Sequence, residues 1–322
     1  MGRIEEIDDL LKDCPELKSE IVYRRSRTFI RTVLNMPEWK ETRFSHLLTV
    51  NIWRSNLDDI IGILGMSEWN DPKFRELLTS NIWISTYKDV KEILHMREWD
   101  DSKFKGLLTS NIWNRNAQDV REILSMPEWD DPKFQVLLTP TIWNASVENI
   151  KEILGMNEWN DPKFQGLLTS NIWRANVENI KEILSMREWD NPKFQGLLTP
   201  NIWHSSANDI KMLFGMKKIQ QDEYIHLLCP SIFNVSFQNI VPSIELFEEY
   251  GIGKYITNRC LRRNVDLQRK LLEYLISNNM DLIVRKKGGS LGLNPVLNVS
   301  NSDLKKKYDI DIKKLNFSEV KK

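Results

Sequence analysis

Apolar residues recur along most of this chain in a fixed order with a period of thirty. In the stretch from Met126 to Gly155, Phe134, Leu137 and Leu138 stand at i, i+3, i+4, and Ile142 and Trp143 follow as a pair. Val147, Ile150, Ile153 and Leu154 then mark one face of a second helix. The stretch returns at Met36, Met66, Met96, Met156 and Met186, and in decayed form at Met216, with no insertion. A fixed period of this size is the mark of modules that bury their apolar faces only by stacking on neighbours.

The polar punctuation predicts where each piece starts. Asp131-Pro132 reads as a helix cap followed by proline at the first helical position, and the device recurs at Asp71-Pro72 and Asp161-Pro162. It opens a first helix of about two turns. Thr139-Pro140 reads as a second cap-plus-proline pair, recurring at Thr199-Pro200 and as Cys229-Pro230, that delivers Ile142 and Trp143 through a short turn. Ser146 caps the second helix, with Asn176, Ser206 and Ser236 in the same place. Neither helix is long enough to be stable alone in water, so stacking has to stabilise both.

Outside the repeats, Ile4, Ile7, Leu10 and Leu11 predict a short amphipathic leader, and Ile30, Val33 and Leu34 a half-repeat acting as an N-terminal cap. The array loosens at Ile219, where the first tryptophan of the unit is lost, and at Pro242. Gly251 and Gly253 read as a helix stop. Leu267, Leu271, Leu272, Leu275 and Ile276 then mark one longer helix, residues 285–290 a polar loop, and Ser300-Asn-Ser-Asp303 the cap of a helix through Tyr308. From Lys313 the tail is basic. The expected architecture is all-α: a helical-repeat solenoid of about eight modules of thirty residues, capped at both ends. The expected parts are a leader (1–22), the array (23–250) and a basic helical C-terminal capping region (251–322).

The element Pro-x-Ile/Leu, a polar capping residue and a short helix with spaced Ile/Leu resembles the repeat of the mitochondrial transcription termination factor (mTERF) family. It stands here as Pro140-Thr-Ile142 with Ser146 to Leu154, Pro200-Asn-Ile202 with Ser206 to Leu213, Pro230-Ser-Ile232 with Ser236 to Ile244, and Pro295-Val-Leu297 with Ser302 to Tyr308. The resemblance covers up to residues 22–310. It implies a curved all-helical solenoid that binds nucleic acid along a basic groove. The Met-x-Glu-Trp and Ile-Trp elements and the acidic repeats depart from that family.

Charge qualifies the picture. The chain carries 45 basic and 45 acidic residues. Residues 251–322 hold 16 Lys/Arg and 7 Asp/Glu, which leaves 29 and 38 in residues 1–250, so the C-terminal part is +9 and the rest −9. Arg259, Arg262, Arg263, Arg285, Lys286 and Lys287 are candidate phosphate contacts; the bland alternative is a solvated basic face.

Candidate contact positions vary while their neighbours do not. After each Ile-Trp pair, or Ile-Phe in the last unit, come Arg54, Ile84, Asn114, Asn144, Arg174, His204 and Asn234. After each phenylalanine of the first helix come Ser45, Arg75, Lys105, Gln135, Gln165 and Gln195. One variable side chain per module is how helical-repeat binders read one base each, and Arg, Asn, Gln and His pair with base edges. The same variability fits exposed positions free to drift, and Ile84 suits no base edge. Gly106, Gly166 and Gly196, one residue further on, predict a close approach by a neighbouring helix. Trp129 and Trp143 and their equivalents could stack on bases. Identical aromatics at identical positions fit repeated packing better, so they are assigned to the inter-repeat core.

Catalytic signals are sparse. His46, His95, His204 and His226 are spread over the array, which argues against a metal cluster, and no Gly-x-Ser-x-Gly, His-Glu-x-x-His or Cys-x-x-Cys occurs. The expectation is a non-enzymatic binding protein with no cofactor and no metal. Its partner is a nucleic acid (DNA or RNA) along the groove or, alternatively, a protein in an acidic or apolar groove of HEAT or armadillo type. Cys14, Cys229 and Cys260 are scattered and odd in number, the N-terminus lacks an apolar signal core, and no stretch reaches the ~20 apolar residues of a membrane span. An intracellular, soluble protein is expected.

Overall fold

A computed structural model describes residues 2–286, 288–311 and 315. Short α- and 3-10 helices joined by turns make up most of them. Two compact units are distinguished, one holding Met1–Asn157 and Leu168–Asn176, the other Glu158–Leu167 and Val177–Lys322.

In the first unit the second helices of the repeat are Leu57–Leu64, Tyr87–Leu94, Ala117–Leu124 and Val147–Leu154. Asn56, Thr86, Asn116 and Ser146 each accept a bond from the backbone N–H three residues on, satisfying a donor that the first turn leaves open. Neighbouring helices of this set pack on one another. Burying Ile150, Ile153 and Leu154 and their equivalents stabilises helices that are too short to stand alone.

The piece before each second helix is shorter than its pattern predicts. Phe134 sits on a single turn, Pro132–Gln135, rather than on two, and Pro72–Leu77 and Ser102–Leu107 are 3-10 helices. Asp131 does cap its turn, accepting from the Lys133 N–H at 3.0 Å. Pro140–Asn144 is likewise a 3-10 helix, and Thr139 before it makes no capping bond. Its hydroxyl pairs with that of Thr141 at 2.8 Å. The equivalent hydroxyls of Thr49, Thr79, Thr109, Thr169 and Thr199 are buried with no partner among the described residues. Extended backbone at the threonine (φ −128°, ψ 157° at Thr139) turns the chain into the 3-10 helix without help from the side chain.

The tryptophans are core except Trp39, which is half-buried. Trp129 and Trp143 are fully buried, and their equivalents from Trp53 to Trp203 are no more than 6 % exposed. Their indole N–H groups take backbone acceptors at two fixed spacings. Trp69, Trp99, Trp129 and Trp189 donate to the carbonyl six residues back, at 2.6 Å. Trp83, Trp113, Trp143 and Trp173 donate to the carbonyl of the leucine 36 residues back, at 2.7–2.8 Å. Rings held this way have no face left for a base.

At the N-terminus, Arg3–Leu10 and Arg27–Leu34 pack together, burying Ile7, Ile30 and Val33 while Ile4 stays exposed. Tyr23 and Lys18 both reach Asp8, at 2.9 and 2.6 Å.

In the second unit, Val177–Leu184 and Ala207–Gly215 continue the pattern. Where Ile219 replaces tryptophan, Gln220 supplies the missing donor, its Nε2 lying 2.6 Å from the Phe214 carbonyl. The next helix departs from expectation: Ser236 does not cap it. A 3-10 turn, Phe237–Asn239, comes first and the α-helix runs Ile240–Glu249. Pro242 has no N–H and its ring crowds the preceding turn, so the helix start shifts until the proline lies in the first turn. Gly251, at φ +70°, ends it with Ile252 N–H on the Phe247 carbonyl. Val265–Ser277 buries Leu271, Leu272 and Leu275 but leaves Ile276 out.

The expected loop at 285–290 joins two short strands, Ile283–Arg285 and Leu291–Leu293, paired antiparallel with Val284 opposite Gly292. A Cβ on Gly292 would fall 2.2 Å from Lys286 Cε, the far end of an exposed and flexible side chain that can swing aside. Asn301–Tyr308 follows, capped by Ser300 as predicted.

Candidate nucleic-acid interface

Each 3-10 helix that carries the Ile-Trp pair exposes its last side chain, and the sequence dictates which; Val50–Arg54 exposes Val50 as well. In Val50–Arg54, Ser80–Ile84, Ser110–Asn114, Pro140–Asn144 and Ser170–Arg174 the Ile and Trp turn into the core. The residue after tryptophan is left outside. These five helices pack in order, each on the next, within the first unit. Arg54, Ile84, Asn114, Asn144 and Arg174 therefore stand at equivalent places on successive neighbours and form one exposed row. Among the described residues neither Arg54 nor Arg174 has an ion-pair partner. His204 and Asn234 make the same arrangement in the second unit, on the packed pair Pro200–His204 and Pro230–Asn234.

The second set of variable residues is also exposed but belongs to other elements. Arg75 and Lys105 lie on the 3-10 helices Pro72–Leu77 and Ser102–Leu107. Gln135, Gln165 and Gln195 end the turns Pro132–Gln135, Pro162–Gln165 and Pro192–Gln195. Arg75 lines a cavity of about 470 Å³ with Arg43, His46, Trp69 and Asn70, and no residue of the row lines it. Gln135 turns back, its Nε2 3.4 Å from the Trp129 carbonyl. Gly106, Gly166 and Gly196 admit no close neighbour: a Cβ there would meet nothing within 4 Å, which overturns the expected helix contact. Two of them close a one-turn helix, where a glycine costs little.

One signal in the sequence marks the row beyond its variability. None of the seven 3-10 helices that end at positions 54, 84, 114, 144, 174, 204 and 234 contains an Asp or Glu. The acidic excess of residues 1–250 lies on the other elements. On the second helices it is partly consumed between modules: Arg121 reaches Glu92 at 3.3 Å, Lys151 bonds Glu122, and Lys211 lies 2.5 Å from Glu182. On the first turns, Lys103 pairs with Asp130 at 2.9 Å and Lys163 with Asp190 at 3.0 Å.

The basic C-terminal residues divide. Arg259 and Arg262 are exposed at the turn Asn258–Leu261 and just after it. Arg263, expected as a phosphate contact, is instead 7 % exposed and structural. Its guanidinium donates to the carbonyls of Leu297 (2.9 Å), Val296 (3.3 Å) and Val299, and to Asn301 Oδ1 (3.2 Å). Burial pushes its pKa down from the usual arginine value. Arg285 ends the first hairpin strand and Lys286 starts the turn, both exposed. Lys287, the last candidate, lies outside the described residues, as does most of the basic tail.

Among the described residues no group of three or more His, Cys, Asp or Glu side chains could hold a metal ion, and no helix is long and apolar enough to cross a membrane. The histidines are engaged separately: His46 with the Leu78 carbonyl at 2.7 Å, His95 with Glu68 at 3.1 Å, His226 with the Ile256 carbonyl at 2.9 Å. The three cysteines are free thiols. No protein-family model, no curated protein and no solved structure matches the chain.

Proposed function

We propose that the protein is a non-enzymatic, mTERF-like nucleic-acid binder, a helical-repeat solenoid of about eight thirty-residue modules capped at both ends. Nucleic acid lies along the row Arg54, Ile84, Asn114, Asn144, Arg174 of the first unit. The observation that carries this reading is the absence of carboxylates from every helix of that row, in an array whose other elements are net acidic. A polyanion is repelled by the array's average charge but meets only neutral and basic groups there, at a spacing of one side chain per module. With the tryptophans from Trp53 to Trp203 buried, contact falls to Arg, Asn and His edges rather than to stacked rings. Exposed Arg259, Arg262, Arg285 and Lys286 add phosphate contacts.

Titration with random-sequence DNA and RNA at two salt concentrations tests the reading. Binding that weakens steeply with salt is expected, and Arg54→Gln with Arg174→Gln should lower the slope of log K on log salt by roughly 0.7–0.9 per lost phosphate contact. No binding at low salt would overturn it. A second reading, a protein-interaction scaffold, is favoured by one feature, exposed apolar side chains: Ile84 is 49 % exposed within the row, and Val136, just after the turn Pro132–Gln135, is 58 % exposed.

A further inference from the structure

The charged cavity of the second unit is more specific than a basic surface. It measures about 420 Å³ and is walled on one side by Arg259, Arg262 and Arg263, on the other by Val299, Ser300, Asn301 and Ser302. Arg259 and Arg262 stand three apart around one turn, so both guanidinium groups lie over the same side of it. Among the described residues none of the three arginines has a carboxylate within ion-pair distance. The acidic group nearest in sequence, Asp303, is engaged by Lys307 at 3.4 Å. Arg263 is a positioning residue. Its four bonds to Val296, Leu297, Val299 and Asn301 clamp the far wall to the arginine turn. It leaves beneath the cavity a buried positive charge met only by neutral dipoles, an arrangement an anion would complete.

The far wall also donates. Asn301 and Ser302 open the helix Asn301–Tyr308, where the first backbone N–H groups have no acceptor within the helix. The Ser300 hydroxyl is spoken for by the Asp303 N–H at 3.2 Å and by Ser302 Oγ at 2.9 Å. Counting donors decides the ligand. Two free guanidinium groups carry five N–H each, and the wall adds backbone N–H groups. A phosphodiester offers one charge and two non-bridging oxygens. A phosphate monoester offers about −1.5 to −2 charge and three terminal oxygens.

We propose that this cavity binds a phosphate monoester, and that its source is the phosphorylated end of a nucleic-acid strand; the source rests on the nucleic-acid function proposed above, the monoester site does not. Full-length protein is titrated with one labelled oligonucleotide carrying either a 5′-phosphate, a 3′-phosphate or hydroxyls at both ends, with inorganic phosphate as competitor. One end-phosphorylated form should bind at least about tenfold tighter than the hydroxyl form, the equivalent of one charge-assisted hydrogen bond. Inorganic phosphate should erase the difference. Arg259→Gln with Arg262→Gln should abolish it while circular dichroism stays unchanged, since both side chains are exposed. The preference should also shrink below about pH 6, where the monoester loses its second charge.

Equal affinity for all three oligonucleotides, or a preference that survives the double variant, overturns the strand-end site. Binding of inorganic phosphate or phosphoserine that needs Arg259 and Arg262, with no oligonucleotide bound at all, keeps the monoester site but overturns its strand-end source along with the nucleic-acid function. Arginine-dependent loss of every oligonucleotide alike identifies a diester contact and overturns the monoester.

Discussion

Trp143 Nε1 donates to the carbonyl of Leu107, 36 residues earlier, at 2.8 Å, with both groups buried. The same bond joins Trp83 to Leu47, Trp113 to Leu77 and Trp173 to Leu137 in the first unit, and Trp203 to Leu167 in the second. It does two things at once: it satisfies an indole N–H that burial would strand, and it ties one module to the one before it.

Replacing Trp143 by Phe removes one of the two N–H donors to the Leu107 carbonyl, which keeps the Thr109 N–H at 2.8 Å, and leaves space beside the smaller ring; together these should cost about 1–3 kcal/mol in urea unfolding. Lys151→Ala breaks the ion pair to Glu122 between two half-exposed side chains and should cost clearly less, because solvent screens such a pair. Equal losses in the two variants would mean that surface charge, not the indole bond, holds neighbouring modules together.

Gly62 stands where other modules carry glutamate, as at Glu92 and Glu122, and Tyr87 explains it. A Cβ at Gly62 would come 2.6 Å from Tyr87 Cγ. Helix propensity alone favours Gly62→Ala by up to ~1 kcal/mol. The clash at the root of a ring reverses the sign, and a net loss of about 1–3 kcal/mol is expected. Adding Tyr87→Ala should make Gly62→Ala neutral or favourable. A double-mutant cycle with no coupling would refute this account.

The Thr109 hydroxyl is buried without an acceptor or donor, so Thr109→Val removes an unsatisfied group and keeps the side-chain shape. The variant should be neutral or more stable than the parent in thermal melts. A loss above about 1 kcal/mol would show that the hydroxyl is satisfied, by water for instance.

Several carboxylates are held below their usual range. For Asp8 the main cause is the Lys18 ammonium, for Asp131 the Lys133 backbone N–H, for Glu248 the Lys218 ammonium, and for Asp303 the Ser300 hydroxyl. A lowered folded-state pKa means that the unfolded chain binds more protons through the acid range. Stability is therefore fully present above the usual values of 3.8 and 4.5 and falls as the pH drops through the lowered ones. Glu248 ties the Tyr224 hydroxyl (2.5 Å) and Lys218 (2.8 Å), so Glu248→Gln should flatten the acid side of the profile. An unchanged acid limb in that variant would discount the cluster.

Much of the fold was legible because one pattern states itself repeatedly. Ile150, Ile153 and Leu154 appear as a face in every module, and each second helix of the first unit has its capping residue where the spacing puts it. Where structure and expectation part, tertiary context overrides what a local motif suggests. Thr139 precedes a proline, yet backbone geometry alone makes the turn. Ser236 has capping chemistry, but Pro242 moves the helix start. Residues 285–290 are polar and glycine-rich, and so are hairpin turns; strands of three residues carry too few positions to show an alternation. Arg263 differs from Arg262 in nothing the sequence displays. Only the proximity of Val296 to Asn301, more than thirty residues away, turns it inward. The row of Arg54 and Arg174 was visible as variability, and the missing carboxylates around it were there to be counted.

The pairing of Gly62 with Tyr87 means that these near-copies are not interchangeable beads. Transplant the Tyr87 module behind any neighbour that bears glutamate at the matching site, and the joint no longer closes. The units read alike; such mutual accommodations give the string a reading direction, and a shuffled version would betray itself at that seam first.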